Sequence, residues 1–389
     1  MPNGDAEIVR IGSFNVENLF SRARVFTEDD QATGSAILAK IAELQALLEE
    51  DPYRKSKILD LYNAAELDRY ISIRCDRVAK EGASPRFLTV TNGVATRVNS
   101  DIDGPNDWVG AIEFKRDDLD EPGKATLARV LLNDLKADIV CLCEVEDRRA
   151  LQELCDGLLG GAYPYNVLFE GNDLRGIDVA VISKFPIGAI RTNIFTPDPD
   201  DPDQGTFSRD CLEVEIELPG ADPISILCNH FKSKGGPTQE SATDTKRIAQ
   251  SREVAKILNV RYRTDAGWHR QAVVAGDLNE STARNGANGA KLQGMKTSIE
   301  PLLKVTGLHN VLEDRLPIEK RFTYEFQGRK QQIDYLLLSE GLNQQVVDCG
   351  AIYTGRFTDG SNGIPSPLAA ASDHAAIWVD VRVPGLIRP

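Results

Sequence analysis

The sequence predicts an α/β chain in which two β-sheets pack face to face with helices outside. Three observations lead there. Short, β-rich runs recur along the chain, Gly or Pro punctuation delimits them, and helical stretches fall between them without a steady βαβ rhythm. The clearest strands are Ile8–Asn15, Asp138–Glu144, Asp178–Ser183, Ile224–Asn229, Ala272–Gly276 and Gln332–Leu338, and Ala375–Val383 closes the set. One helix is expected over Lys124–Leu135, with Leu127, Val130, Leu131 and Leu135 apolar. Another is expected over Thr243–Val260, where Ile248, Val254, Ala255 and Leu258 approximate one face. No internal repeat is visible.

Residues 21–123 read differently. Ser35–Glu50 (SAILAKIAELQALLEE) is rich in Ala and Leu and predicts a helix, and Ser56–Lys80 is expected to be helical as well. Phe87–Val98 (FLTVTNGVATRV) predicts a hairpin, because Asn92-Gly93 suits a two-residue turn. The block is therefore expected to be a mostly helical accessory insertion with a hairpin inside it, interrupting one large domain that spans 1–389. It carries no obvious chemistry; a packing element, a substrate-selecting wall or an oligomer interface are the readings open to it. Asp198–Gln204 (DPDDPDQ) reads as an acidic, proline-rich loop.

The 389 residues are 41% hydrophobic and 27% charged, ordinary values for a soluble globular chain long enough to bury a sizeable core. The start, MPNGDAEIVRIGSFNVENLF, has no basic stretch, apolar run or cleavage site, so no signal peptide is expected. No stretch approaches the roughly 18 apolar residues that a membrane span needs. The seven cysteines match no zinc or disulfide spacing, and Cys141, Cys143 and Cys228 fall inside apolar runs, so a cytoplasmic protein with reduced thiols is expected. The formal charge of −14 argues against a generic nucleic-acid coat protein. It does not exclude a nuclease, because carboxylates gathered at a metal site add negative charge that the cation reverses locally. No feature marks a protein partner.

Polar residues gather at the ends of the apolar strands, where scaffolds place catalytic groups. Asn15 and Glu17 follow the first strand in SFNVENLF, Glu144 ends CLCEVE, and Asn229 and His230 end ILCNH before FKSKGG. Asp277 and Asn279 end VVAGDLNES, Asp334 lies in QIDYLLLS, and Asp373 and His374 precede the last strand in SDHAAI. One Asp after a strand is usually a turn or cap residue. The joint recurrence is harder to explain by turns.

Carboxylates with amide oxygens form a hard oxygen site, which prefers Mg²⁺ or Mn²⁺. Zinc would call for more His or Cys, yet only four histidines exist, and His269 and His309 lie outside these motifs. A histidine serves as acid or base near neutral pH, and Asp334 is a candidate partner to fix its tautomer. Attack on a phosphodiester adds charge to the phosphoryl oxygens, which a cation, a His and amide donors stabilise. Candidates for substrate phosphate are Arg175 in LRGID, the amide of Asn229, Lys232 and Lys234; for both lysines the bland alternative is a solvated loop charge. Asp178 either orients Arg175 or a histidine or starts a strand at a turn.

The ordered series SFNVEN, CLCEVE, RGIDVAVIS, NHFKSK, GDLN, IDYLLLS and SDH resembles the endonuclease/exonuclease/phosphatase superfamily. That group includes pancreatic-type deoxyribonuclease, abasic-site endonucleases, sphingomyelinases and inositol polyphosphate phosphatases. NVENLF, NHFKSKG and RFTYEFQGRKQQIDYLLLS look most like the bacterial branch typified by the mycoplasma membrane nuclease. The match covers residues 8–20 and about 124–383, not the block between.

The resemblance implies a deoxyribonuclease-like four-layer α/β sandwich with the site at one end of the paired sheets. It implies Glu144 as principal metal ligand, with Asn15 and Glu17 beside it and Asp373 as a further metal or water ligand. Asp277 would position or deprotonate the attacking water, and Asn279 would hold a phosphoryl oxygen. His374, oriented by Asp334, would contact the scissile phosphate, and His230 would aid the leaving group. The expected function is a Mg²⁺- or Mn²⁺-dependent phosphodiesterase, a nuclease on DNA or also RNA with low sequence preference. The alternative is a small phosphodiester, nucleotide, phosphoinositide or phospholipid headgroup as substrate. A catalytically dead binding module would require an incomplete site, and every expected residue type is present.

Overall fold

Asp178–Ser183 (DVAVIS) and the Ala272–Asp277 part of Gln271–Asp277 are buried on both faces in the computed structural model, as near-continuous apolar runs must be. The structure describes residues 7–26, 31–116, 121–173, 175–199, 201–202, 204–234, 240–282, 296–326, 328–357 and 370–388. Positions 200 and 203 of the acidic loop lie outside them. Contacts divide the chain into two units, Met1–Leu19 with Leu119–Pro389, and Phe20–Asp118.

The first unit holds two mixed six-stranded sheets. One runs, in spatial order, Val346–Ile352, Ala376–Val383, Glu7–Leu19, Ile139–Val145, Asp178–Ser183, Tyr165–Leu168. The other runs Leu308–Asn310, Asp334–Ser339, Gln271–Asp277, Ile224–His230, Cys211–Ile216, Ile187–Arg191. Each has one parallel pair at its centre, Glu7–Leu19 with Ile139–Val145 and Ile224–His230 with Gln271–Asp277; the other pairings are antiparallel.

Alternation along the strands sorts the side chains into layers. Val9, Ile11, Cys141, Cys143, Val179 and Val181 of the first sheet meet Val214, Ile226, Cys228, Val273, Leu336 and Leu338 of the second in one buried core. Fully burying each aliphatic chain contributes about 1.5–3 kcal/mol. The opposite face of the first sheet (Phe14, Val140, Leu142, Ala180) packs under Leu127, Leu131 and Leu151 from helices. Leu227, Val274 and Leu337 of the second pack under Val254 and Leu258 of the Glu240–Arg261 helix. The order helix, sheet, sheet, helix is the expected four-layer sandwich. Between the sheets Cys143 Sγ lies 3.4 Å from the Asn229 carbonyl, and Cys228 Sγ lies 3.8 and 3.6 Å from those of Leu142 and Ala180.

The Lys124–Leu135 expectation corresponds to Glu121–Arg129 continued by a wider π-type turn over Val130–Leu135. Gln332 and Ile333 fall before their strand, which starts at Asp334; the Thr323 hydroxyl accepts from the Ile333 and Asp334 N–H groups there. Cys211–Ile216 (CLEVEI) escaped the sequence reading because Glu213 and Glu215 mask it. Glu213 is nonetheless buried, held by Tyr262 Oη at 2.7 Å and by Arg261.

The second unit has its own core, including Leu44, Ile58, Tyr62, Leu67, Phe87, Val98 and Ile102. Helices span Gln31–Leu47 and Lys55–Ala64. The helix expected over Ser56–Lys80 stops at Ala64, and Ile71–Val78 instead pairs antiparallel with Trp108–Phe114. This unit is therefore mixed rather than mostly helical, since ISIRCDRV supplies β-branched residues at alternate positions. The hairpin Leu88–Thr91/Val94–Val98 turns at Asn92 (φ 50°) and Gly93 (φ 78°). Where the chain enters and leaves this unit it runs beside itself: Ala23 bridges Arg116, and the Arg24 N–H donates to the Lys115 carbonyl at 2.8 Å.

Candidate active site

The parallel central strands end at one place, and their last residues face one another across the two sheets. Asn15 joins the sheets: its amide donates to Glu144 Oε1 at 3.1 Å and to Asp277 Oδ2 at 3.2 Å, while its Oδ1 accepts the Glu17 N–H at 3.0 Å. Glu144 Oε2 accepts the Asn18 N–H at 3.1 Å. Asp277 accepts from the Asn279 N–H at 2.8 Å and from its amide at 3.2 Å. Gly276 makes this crossing possible. Its φ is 125°, and a Cβ there would stand 1.9 Å from the Asn229 carbonyl on the neighbouring strand.

Backbone strain gathers at the same spot. Glu17, Asn18, Glu144 and Asn279 have φ of 49°, 59°, 67° and 53°, a left-handed region that non-glycine residues seldom occupy. Such conformations cost about 1–3 kcal/mol each and persist where surrounding contacts over-determine them. Here the carboxylates of Glu144 and Asp277 and the carbonyl oxygen of Asn15 are those contacts.

The two histidines have opposite surroundings. His374 Nδ1 is 2.8 Å from Asp334 Oδ2, and its Nε2 lies 3.9 Å from Asp277 Oδ2 and 3.7 Å from Asp373 Oδ1. Burial alone would lower its pKa, but the charge and hydrogen bond of Asp334, with Asp277 and Asp373, hold it well above the ordinary imidazole value. His230 Nε2 lies 3.7 Å from Asp277 Oδ2 and 3.8 Å from Glu144 Oε1. Burial, reinforced by the Arg209 charge, pushes His230 well below the ordinary value. One ring is thus biased toward its protonated form and the other toward its neutral form. Asp277 is raised, by burial and then by Asp334.

These groups open onto a cavity of about 530 Å³ whose walls include Glu144, His230, Asp277, Asn279, Asp373 and His374. Arg175 and Lys234 also line it. Three residues not singled out from sequence join them: Arg209, Asn18 and Tyr324. Arg209 is buried, ion-paired to Asp173 Oδ2 at 2.8 Å, and donates to the Phe231 carbonyl at 3.1 Å. The same Asp173 holds Arg175 at 3.0 and 3.1 Å, so one carboxylate aims both guanidinium groups. The Tyr324 ring lies against His374, 5.2 Å between centroids.

Three expected phosphate or orienting residues are not among the cavity walls. Asn229 is fully buried and its amide donates to the Leu227 carbonyl, because neighbouring strand residues face opposite sides and His230 takes the cavity side. Lys232 is held by its backbone, its N–H donating to Gln250 Oε1 at 2.9 Å, and its side chain is not among the cavity walls. Asp178 accepts the Gly171 N–H at 2.8 Å, and burial raises it to about 7; it anchors the segment leading to Asp173. None of these three is assigned a substrate contact.

One grouping among the described residues brings three ligand atoms together, and the charges felt at Glu17 point to a second set of donors. Asp277, Asp334 and His374 offer ligand atoms within 4.8 Å of one another. There Asp334 Oδ2 and the His374 Nδ1 bond each other, while Asp334 Oδ1 is buried without a hydrogen-bond partner. The second set is all oxygen. Glu17 is pushed up to about 7 by burial and then by the charges of Asp373 and Glu144. Three carboxylates crowded in this way repel, and a bound divalent cation relieves the repulsion. Glu144, Glu17 and Asp373 are an all-oxygen donor set of the kind a hard cation takes, with Asn15 bonded to the Glu144 carboxylate and to the Glu17 N–H.

A sequence model described as the endonuclease/exonuclease/phosphatase family matches residues 115–354. No protein of curated function matches the sequence. Among solved structures the chain is similar to truncated Caenorhabditis elegans TDP2, at 17% identity and TM-score 0.42, over 67% of this chain and 90% of that one. It is similar to the 3′-5′ exonuclease NExo from Neisseria meningitidis, at 14% identity and TM-score 0.42, over 67% and 96%. The human Nocturnin catalytic domain with bound sulfate is similar at 14% identity and TM-score 0.44, over 69% and 88%.

Proposed function

Because the chain belongs to the endonuclease/exonuclease/phosphatase family and is a metal-dependent phosphoric ester hydrolase, we propose that it is a nuclease. Its substrate in this reading is DNA, and RNA as well, cut with low sequence preference through contacts to the backbone. The observation that carries the reading is the placing of Arg175, Arg209 and Lys234 around the cavity that holds Glu144, Asp277 and His374. In a chain of formal charge −14, three cationic side chains on these walls, two held by Asp173 and one paired with Glu280, support phosphate as the group bound there.

Glu144, Glu17 and Asp373 are the residues that would hold Mg²⁺ or Mn²⁺, with Asn15 bracing Glu144. When bound, the cation supplies Lewis acidity toward a phosphoryl oxygen. The chain's own groups account for the rest. Asp277, fixed by the Asn15 and Asn279 amides, orients the attacking water and accepts its proton. Water oxygen bonds to phosphorus as the ester P–O bond breaks. His374, with Nδ1 anchored on Asp334, donates from Nε2 to a phosphoryl oxygen as charge builds there. His230, kept neutral, hydrogen-bonds the departing oxygen. Asn279 holds a phosphoryl oxygen, and Arg209 and Arg175, which also line the cavity, grip the phosphate.

A second reading replaces nucleic acid with a small phosphodiester, and the net charge of −14 favours it. Purified protein incubated with plasmid DNA and with bis(p-nitrophenyl) phosphate, each with Mn²⁺ and with chelator, separates the two. Metal-dependent cutting of both supports the nuclease. Turnover of the chromogenic ester alone moves the assignment to the small substrate, and turnover of neither removes both. Among the described residues no helix is long and apolar enough to cross a membrane. All seven cysteines are free, which supports a reducing compartment, the cytoplasm.

A further inference from the structure

Two strand ends of the second sheet and the loops after them deliver residues to the cavity: Ile224–His230 ends in His230 and is followed by Lys234, and Gln271–Asp277 ends in Asp277 and is followed by Asn279. Behind them lies Arg247 of the Glu240–Arg261 helix, fully buried and not itself among the cavity walls. Its guanidinium reaches into both loops. Nη1 donates to the Lys232 carbonyl at 2.9 Å. Nε donates to Ser298 Oγ at 3.1 Å, and that hydroxyl donates in turn to Glu280 Oε2 at 3.1 Å. Nη2 bonds Asp244 and lies 3.7 Å from Glu280 Oε2.

Glu280 is itself fully buried and adjoins Asn279. Its other oxygen accepts the Ser281 N–H at 3.0 Å and pairs with Lys234 at 3.3 Å, so it sits between a buried cation and one on the cavity wall. One turn along the helix Gln250 takes the Lys232 N–H, so both backbone groups of Lys232 are gripped by the same helix. A buried charge with this many partners is costly to place and strongly directional. It ties together two segments whose tips must meet within hydrogen-bonding distance. Asn279 completes the link by donating to the Phe231 carbonyl at 3.1 Å.

We propose that Arg247, acting through Glu280 and the Lys232 backbone, is a positioning residue that sets Asn279 and His230 against the reacting phosphate. The inference rests on the hydrolase reading of the cavity. Lysine cannot reproduce it, because one ammonium does not span acceptors on three segments. Small displacements of groups around a reacting centre are felt in kcat far more than in ground-state binding.

The test compares wild type, Arg247→Lys, Glu280→Gln, Asn279→Ala and the two double variants with Asn279→Ala. The readouts are Mn²⁺-dependent turnover of bis(p-nitrophenyl) phosphate, Mn²⁺ binding by calorimetry and melting temperature. Arg247→Lys is expected to lower kcat about tenfold or more with KM within about twofold, and Mn²⁺ affinity is expected to hold because the metal-facing carboxylates lie elsewhere. Glu280→Gln is expected to lower kcat in the same sense. Each double variant is expected to lose little beyond Asn279→Ala alone, since both changes act on one element. Full kcat in a folded Arg247→Lys or Glu280→Gln, or losses that multiply with Asn279→Ala, overturns the proposal. So does failure of both single variants to fold, which makes the network purely structural. A wild type without metal-dependent turnover overturns the hydrolase reading first, and this inference with it.

Discussion

Asp334 Oδ2 stands 2.8 Å from His374 Nδ1, and both side chains are buried. The pairing fixes which ring nitrogen faces the cavity. His374→Ala removes the donor altogether and is expected to lower kcat by about 10²–10⁴-fold. Asp334→Asn keeps the ring but weakens its anchor, so its loss is expected to be smaller. Saturating turnover of bis(p-nitrophenyl) phosphate by both variants checks this. Equal losses would give Asp334 a different role, such as metal binding.

Glu144 combines a strained backbone (φ 67°) with close carboxylate neighbours. Glu144→Gln keeps the shape and removes one negative charge from the cluster. Calorimetry is expected to show Mn²⁺ binding lost and turnover abolished, while the melting temperature does not fall. Retained Mn²⁺ affinity would move the metal to another group of residues.

A stability effect of pH is expected at the far end of the same strand. Asp138 accepts the Arg10 N–H at 3.0 Å and Arg388 at 3.1 and 3.3 Å, with Lys184 at 3.4 Å. Burial alone would raise its pKa, but the Arg388 and Arg10 hydrogen bonds and the Lys184 charge bring it below the ordinary value. A carboxylate depressed in the folded state contributes stability above its unfolded pKa of about 3.9 and loses it as pH falls through the folded value. Asp138→Asn is therefore expected to cost about 2 kcal/mol at pH 7. Its melting deficit should shrink toward zero below about pH 4. A deficit independent of pH would make the loss one of packing rather than charge.

The antiparallel bridge of Ala23 with Arg116 brings the ends of the second unit together. Replacing residues 24–115 by a short Gly-Ser link should then leave the sandwich folded, because loop closure there is undemanding. We read this unit as an insertion in a single catalytic domain. Cooperative melting and metal-dependent turnover of the small ester in the shortened chain are the expected results; a protein unable to fold would make residues 20–118 an integral part of the domain.

What the sequence made legible follows from how local each signal is. Asp178–Ser183 announces itself because both its faces are apolar. Cys211–Ile216 does not, because the burial of Glu213 depends on Arg261 and Tyr262 from a helix end far along the chain. Within the site, Glu144, Asp277 and His374 stand in recognisable motifs at strand ends. Arg209 had no such signal, as its place on the cavity wall depends on Asp173, which also holds Arg175. Motif order does not tell which way Asn229 faces, whereas strand geometry does: next to His230, its side chain points to the other side.

The thiols of Cys143 and Cys228 rest against main-chain carbonyls where the two sheets meet, one residue from Glu144 and two from His230. In effect they gauge the gap across which the two halves of the catalytic apparatus see each other. A bulkier side chain at either place would work like a shim under a bench vice, prising the jaws apart without touching what they grip. The size of these solvent-shielded sulfurs thus bears on chemistry taking place one layer above them.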